Sequence, residues 1–352
     1  MMNQEICECL IGFDSYIDTL YSVVRSRKDA AHCECYERIE EFGNRILAAS
    51  HKSADIEICP IRTSFGGNAP IMANAVAALG HSTVCIGHMD CGQGEDPFAE
   101  MQPACERISI GEVNRTTALE FSDGKIMLGD LRGSKTGWQE IKERVGFDRL
   151  KYLVKNCRLI GMVNWSGLFR MNEIMDGFSR EILIPLQEEG NPETDSLKDI
   201  FIDLADPTAR SGEDMEELFG LLRTMSSFCR VTLGMNENEA LKLGERLGII
   251  SVEKLELGKA IRAGLKLYQA VIHTKEGAYG FRDDITEKID NIPAESPAAV
   301  TGAGDHFNAG FCAGMLERKS LLGCLQSGNA AASFYVRNGF TADRQQLQEY
   351  MG

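Results

Sequence analysis

The sequence predicts an α/β fold of three layers, with a mostly parallel central sheet between two sets of helices. Three observations carry that expectation. Short apolar runs ended by glycine or polar residues alternate with stretches of helical period along much of the 352 residues, as in parallel strands joined by crossover helices. The run TTALEFSDGKIML departs from this, with two extended pieces around Asp123-Gly124 that read as a hairpin. Near the end, TGAGDHFNAGF (Thr301 to Phe311) places small residues and one acid directly before a segment of helical spacing.

In chain order, Ile6 to Phe13 reads as a short buried strand ending at Gly12. The stripe Tyr36, Ile39, Phe42, Ile46 and Leu47 predicts a helix over 33–50. SFGGN then leads into a helix from Ala69 to Leu79, stopped by Gly80. Strands follow at 82–87 and 159–163, a helix at 172–187, and a strand at 200–204. A helix at 213–225, a strand at 229–233 and helices at 236–247 and 252–267 come next. A strand at 270–274 and helices at 305–318 and 321–338 complete the reading. Asn191 to Ser196 is expected as a surface loop, and no linker, repeat or low-complexity tract divides the chain.

Lys and Arg number 37 against 52 Asp and Glu, a net charge of −15. Nucleic acid and anionic membranes both need basic surface, so neither is an expected partner. The opening MMNQEICECLIGFD reads as neither signal peptide nor membrane span, and no stretch reaches about 18 apolar residues. A soluble cytoplasmic protein with free thiols is expected from this and from the scattered placement of 12 cysteines. Cys7-Glu8-Cys9 and Cys33-Glu34-Cys35 lack the spacing of common zinc sites, and i, i+2 spacing also describes one face of a strand.

Open parallel sheets bind ligands beyond the carboxyl ends of their strands. Asp14, Asp18, Asn164, Asp206 and Asn236 all follow predicted strands. At Gly302-Ala303-Gly304 the N–H groups of a helix start, approached through glycine, suit an anion. Asp305 beside them would repel a phosphate unless it has a task, and accepting a proton from an attacking hydroxyl is such a task. The same pattern also describes an ordinary Asp cap. Two decoys fall away: Gly129 to Thr136 has a residue too many for a Walker loop, and GAGDHF carries Phe307 where a dinucleotide fingerprint needs glycine.

TGAGDHFNAGFCAGM from Thr301, SFGGNAPIMANAVAALG from Ser64 and LGMNENEALKL from Leu233 together resemble the PfkB carbohydrate kinase family, the ribokinase-like fold. The resemblance spans nearly the whole chain. It implies a single domain over 1–352, with a small β lid built from about 15–32 and 107–135. It implies an ATP-dependent kinase acting on a hydroxyl, a hydroxymethyl group, of a sugar. A nucleoside or vitamin-precursor kinase of the same fold is the alternative, and a non-catalytic sugar- or nucleotide-binding protein the alternative of another class. Asp305 becomes the general base, and Gly302, Ala303 and Gly304 the anion hole. Gly66, Gly67, Asn68 and Asn164 line the substrate, with Asp18, or its rival Asp14, gripping sugar hydroxyls. Asn236 and Glu239 organise Mg²⁺ and phosphates through water, and Thr274, Gly277 and Asn329 lie on the nucleotide side. Plainer roles stay open: Asn68 as a helix cap, Glu239 as a first-turn acid, Asn329 as a helix-face residue, His306 as packing.

The chain departs from the family in places. Ala299-Val300-Thr301 stands where the family often writes Asp-Thr-Thr, so dependence on a monovalent cation is not carried over. The DPTAR run from Asp206 has Thr208 in place of Asn, and IHTKEGAYGF blurs the late Thr-x-Gly element. The segment between Asp18 and Gly66 is long. In many relatives the lids pair between subunits, which implies a homodimer.

Overall fold

A computed structural model describes residues 7–30, 32–130, 135–189, 197–291 and 294–351. The expected loop at 191–196 lies outside the described residues. The strands are β1 (Cys9–Gly12), β2 (Tyr16–Arg27), β3 (Cys33–Cys35), β4 (Ile58–Gly66), β5 (Thr83–Gly87), β6 (Cys105–Ser109) and β7 (Asn114–Phe121). They continue with β8 (Gly124–Asp130), β9 (Leu159–Met162), β10 (Asp199–Asp203), β11 (Arg230–Asn236), β12 (Gln269–His273), β13 (Gly277–Arg282) and β14 (Ile285–Asp290).

The large sheet has nine strands in the order β14-β13-β12-β11-β10-β9-β1-β5-β6. It is parallel from β12 to β6, and β13 and β14 add an antiparallel edge. Alternation along each strand feeds two separate cores. Leu10, Ile160, Ile202 and Leu233 join Trp138, Phe178 and Leu218 on one face. Cys9, Ile11, Leu159 and Phe201 join Met72, Phe311 and Leu325 on the other. These are the three layers that the sequence predicts.

The hairpin forms as β7–β8, with Phe121 opposite Gly124. It belongs to a second, five-stranded sheet ordered β3-β2-β7-β8, with β4 also paired to β2. Of the stretches expected there, 107–109 lies instead at the edge of the large sheet, as part of β6. The helix expected over 33–50 is shorter, Ile39–Leu47. Cys33–Cys35 pairs with β2 as a strand, so side chains that would share a helical stripe alternate instead. Phe42 does pack, on Val23, Leu119 and Phe121, whereas Ile46 and Leu47 stay exposed. The two Cys-x-Cys pairs fall near β1 and in β3, in different sheets.

The helix Ala303–Leu316 is buried along its length after Asp305 and packs against the helix Leu321–Asn338. Glycines let the two backbones meet. A Cβ on Gly310 would lie 2.4 Å from the Ser327 carbonyl oxygen. Gly310→Ala is therefore expected to cost about 1–3 kcal/mol by overpacking, read as a lower urea midpoint at unchanged m-value.

Candidate active site

Chain order along the sheet reverses at β1: β5 and β6 lie on one side, β9 to β12 on the other. Ligands of open α/β sheets bind at such a switch point. Beyond the carboxyl ends lie Asp14 after β1, Asn164 after β9, Asp203 closing β10 and Asn236 closing β11. The start of the helix Ala303–Leu316 brings Asp305 to the same place, where its carboxyl feels Asp203, Asp14 and Glu239 and faces the Asn68 side chain.

Asp14 is completely buried. It accepts from the backbone N–H of Asn68 (2.9 Å) and Ala69 (2.8 Å), and from Asn164 Nδ2 (2.8 Å). Asp14 thus caps the helix Asn68–Ala78 from 54 residues away, and the Asn68 side chain is free of that duty and reaches Asp305. Gly67 takes φ 94°, and a Cβ there would sit 3.0 Å from Asp14 Oδ2. Asn164 completes the turn: its Oδ1 accepts from the Gly167 N–H at 3.0 Å. Asp18 is less committed, facing Thr116, and would collide with any side chain at Gly66. Tyr16 faces Asn164 and feels the charges of Asp14 and Asp18.

The Asn-x-x-Glu run closes on itself. Asn236 caps the Glu239 N–H at 2.9 Å, and Glu239 accepts from the Asn236 N–H (2.9 Å) and Nδ2 (2.6 Å), a reciprocal capping box. Burial, with Asp203 next, pushes the Glu239 carboxyl up to about 8. Burial likewise raises Asp14 to about 6, against the pull of its three donors. Asp203 and Asp305 are also raised, burial first in each case.

At the glycine loop, Gly302 is left-handed with φ 92°. The Ala303 N–H is spent on the Val300 carbonyl at 3.2 Å, so the N–H groups of Gly304 and Asp305 are the first in the helix without an intrahelical partner. Gly304 is small for a second reason: a Cβ there would meet His273 at 3.3 Å.

The residues expected on the nucleotide side gather at the β12–β13 turn and the end of β14. The Thr274 hydroxyl accepts from the Gly277 N–H at 3.1 Å, a Cβ on Gly277 would press on the Ile289 carbonyl, and Asn329 Nδ2 donates to the Asp290 carbonyl at 3.3 Å.

Sequence reasoning missed Asp203, Asn308 and His273. Asn308 Nδ2 donates to Asp203 Oδ2 at 2.8 Å, and the Ala205 N–H to Asp203 Oδ1 at 3.0 Å. An acid closing the apolar run DIFID, three residues ahead of Asp206, is the signal that could have found Asp203.

The sequence model of the prokaryotic ketohexokinase family matches residues 3–352. The chain is 26% identical to the ketohexokinase of Haloferax volcanii over 344 residues, 97% of this chain and 90% of that protein. A stretch of 79 residues is 39% identical to the ribokinase of Bacillus subtilis, 22% of this chain and 27% of that one. Among solved structures, a probable sugar kinase from Rhizobium etli superposes with TM-score 0.66 at 18% identity, covering 98% of this chain and 97% of that one. Arabidopsis thaliana ribokinase complexed with ribose and ATP superposes with TM-score 0.63 at 17% identity over 98% of both chains. Those two likenesses show the ribokinase-like fold. Among the described residues no helix is long and apolar enough to cross a membrane. With the family model spanning almost every residue and this fold beneath it, the chain belongs to the prokaryotic ketohexokinase family, within the PfkB group, and is a carbohydrate kinase.

Proposed function

We propose that this kinase transfers the γ-phosphoryl group of ATP to a hydroxymethyl group of a ketohexose such as D-fructose. The observation that carries this is the placement of Asp305: on the first turn of a helix opened by a left-handed glycine, against Asn68, at the switch point of the sheet. Asp305 takes the proton from the hydroxymethyl group as its oxygen attacks the γ-phosphorus. The P–O bond to the β-phosphate breaks and ADP leaves. Charge spreading over the transferred group meets the N–H groups of Gly304 and Asp305. Asp18, with Tyr16 and the Gly66–Asn68 turn, holds the sugar hydroxyls. The second sheet acts as a lid that excludes water and protects ATP from hydrolysis. Pairing of two lids in a homodimer, and a cytoplasmic location where ATP is supplied, belong to the same proposal.

The donor set suits Mg²⁺. Asp14, Asp203, Glu239 and Asp305 are acids raised by burial, and Asp203 and Glu239 repel one another. Among the described residues no group of three or more His, Cys, Asp or Glu could hold a metal by itself. Mg²⁺ commonly uses one or two carboxylates, with water and substrate phosphates completing the shell. Glu239 and Asp203 would hold it, largely through water, and the ion supplies positive charge to the triphosphate.

A pH dependence follows. Carboxyls whose folded pKa is raised stabilise the protein below the ordinary carboxylate range and lose that contribution as pH rises through the folded value. For Asp14 and Glu239 those values are about 6 and about 8. The metal-free protein should therefore lose stability from these groups as pH rises from about 5 to about 9. Added Mg²⁺ should stabilise it more at the alkaline end. Urea titrations at both pH values, with and without Mg²⁺, check this. A Mg²⁺ effect larger at the acid end would contradict the assignment.

The acceptor is tested by ADP release from Mg-ATP with D-fructose, D-ribose, D-glucose and adenosine side by side. Turnover is expected with the ketohexose. Turnover with adenosine alone would overturn the reading.

A further inference from the structure

The glycine loop is held from behind by two stacked rings. The His306 and Tyr335 rings lie 3.8 Å apart at 13°. The Tyr335 hydroxyl donates to the Thr301 carbonyl oxygen at 2.9 Å. His306 Nδ1 lies 2.7 Å from the Gly302 carbonyl oxygen, which the His306 backbone N–H also reaches at 3.0 Å. A carbonyl only accepts, so Nδ1 carries the proton, and Nε2 accepts from the Thr341 hydroxyl at 2.9 Å. Burial lowers the His306 imidazole to about 4, so it is neutral near pH 7. Both ring nitrogens are occupied, and His306 is no partner in proton transfer for Asp305.

Two consecutive peptide planes are thereby fixed. In a planar trans peptide the N–H points opposite to the C=O. Tying the Thr301 carbonyl to Tyr335 therefore aims the Gly302 N–H away from Tyr335, and that N–H has no partner among the described residues. Tying the Gly302 carbonyl to His306 fixes the left-handed turn, whose backbone only glycine adopts cheaply. A Cβ on Gly302 would lie 3.3 Å from the Tyr335 hydroxyl oxygen, so the loop has little room to relax toward the ring.

We infer that Tyr335 and His306 are positioning residues for phosphoryl transfer, which hold the Thr301–Gly302 peptide so that the Gly302 N–H donates to the transferred phosphoryl group. This rests on the proposed kinase reaction. Without the brace the loop samples other orientations, and ground-state binding is little changed. The loss falls on the transition state, where donor aim matters.

The test uses Tyr335→Phe, His306→Ala and His306→Asn beside wild type and Asp305→Asn, with D-fructose and Mg-ATP. Tyr335→Phe keeps the ring and removes one hydroxyl, so its fold should survive. Its kcat is expected to fall roughly 10-fold or more, with both KM values within about threefold, since a full oxyanion donor is worth about 10²–10³. His306→Ala should fall further. His306→Asn, whose amide can still donate to the Gly302 carbonyl, should recover part of the loss. The second readout is affinity for ADP with Mg²⁺ and aluminium fluoride, a mimic of the transferring group, against affinity for ADP alone. The variants should lose the first and keep the second. Wild-type kcat and wild-type aluminium fluoride affinity in Tyr335→Phe would overturn the inference. If wild type phosphorylates no ketohexose, the proposed function fails, and the aluminium fluoride comparison alone then decides for or against the brace.

Discussion

Asp305→Asn is expected to bind sugar and nucleotide nearly as wild type does and to turn over about 10²–10⁴-fold more slowly, the usual worth of a positioned general base. The substitution is close to isosteric, and the Asn68 amide that meets Asp305 can pair with the new carbonyl oxygen. What disappears is the group that takes the hydroxyl proton. The raised pKa of Asp305, from burial and then from Asp203, Asp14 and Glu239, makes it a stronger base than an exposed Asp. It also predicts that wild-type kcat/KM rises with pH through the folded pKa of this carboxyl and that Asp305→Asn lacks that limb. Steady-state kinetics of both proteins across pH measure this. Unchanged kcat in the variant would remove Asp305 from the chemistry.

Asp14→Ala should be the most damaging single change to stability near the site, at about 3 kcal/mol. Three donors converge on this buried carboxyl: two backbone N–H groups of a helix start and the Asn164 amide. Alanine leaves all three unpaired in a place water does not reach, and a buried donor without a partner costs about 1–3 kcal/mol. The return of the carboxylate's own burial cost keeps the sum below three times that. The helix Asn68–Ala78 would lose its cap, and with it the aim of Asn68 on Asp305, so activity should fall together with the urea midpoint. An unfolding free energy within about 0.5 kcal/mol of wild type would show that Asp14 is not the cap.

The contrast between Asp14 and Asp305 shows how far the sequence could be read. The position of Asp305 at a helix start was legible because its pattern is local: glycines, an acid and a helical stripe adjacent in the chain. The β7–β8 hairpin was legible for the same reason, its turn residues lying between its two strands. Asp14 was legible as an acid after a strand, but its duty as a helix cap joins residues 54 positions apart. Asn68 had two readings from sequence, and only the packing, which gives the cap to Asp14, turns its side chain to Asp305. Asp203 ends a strand whose other residues are buried in the sheet, and its one local signal, an acid closing an apolar run, is shared with acids that merely end a strand. β2 is expected only through the resemblance, within the lid segment 15–32, and β4 not at all, for a different reason. Most of their residues stay partly exposed on the second sheet, so neither the apolar run nor the alternation of an ordinary strand appears. The early helix starts later than expected because the i, i+2 spacing of Cys33 and Cys35 is that of a strand, which forms once β2 is there to pair with it.

The measurement that tests the central claim most directly is ³¹P NMR of a reaction of the purified protein with Mg-ATP and D-fructose. The expected spectrum loses γ-phosphate signal and gains ADP and a sugar monophosphate ester in equal amounts, with the ester on a hydroxymethyl carbon and free phosphate at background. ATP consumed to ADP and free phosphate with no ester, or ATP left intact with every ketohexose offered, would contradict it.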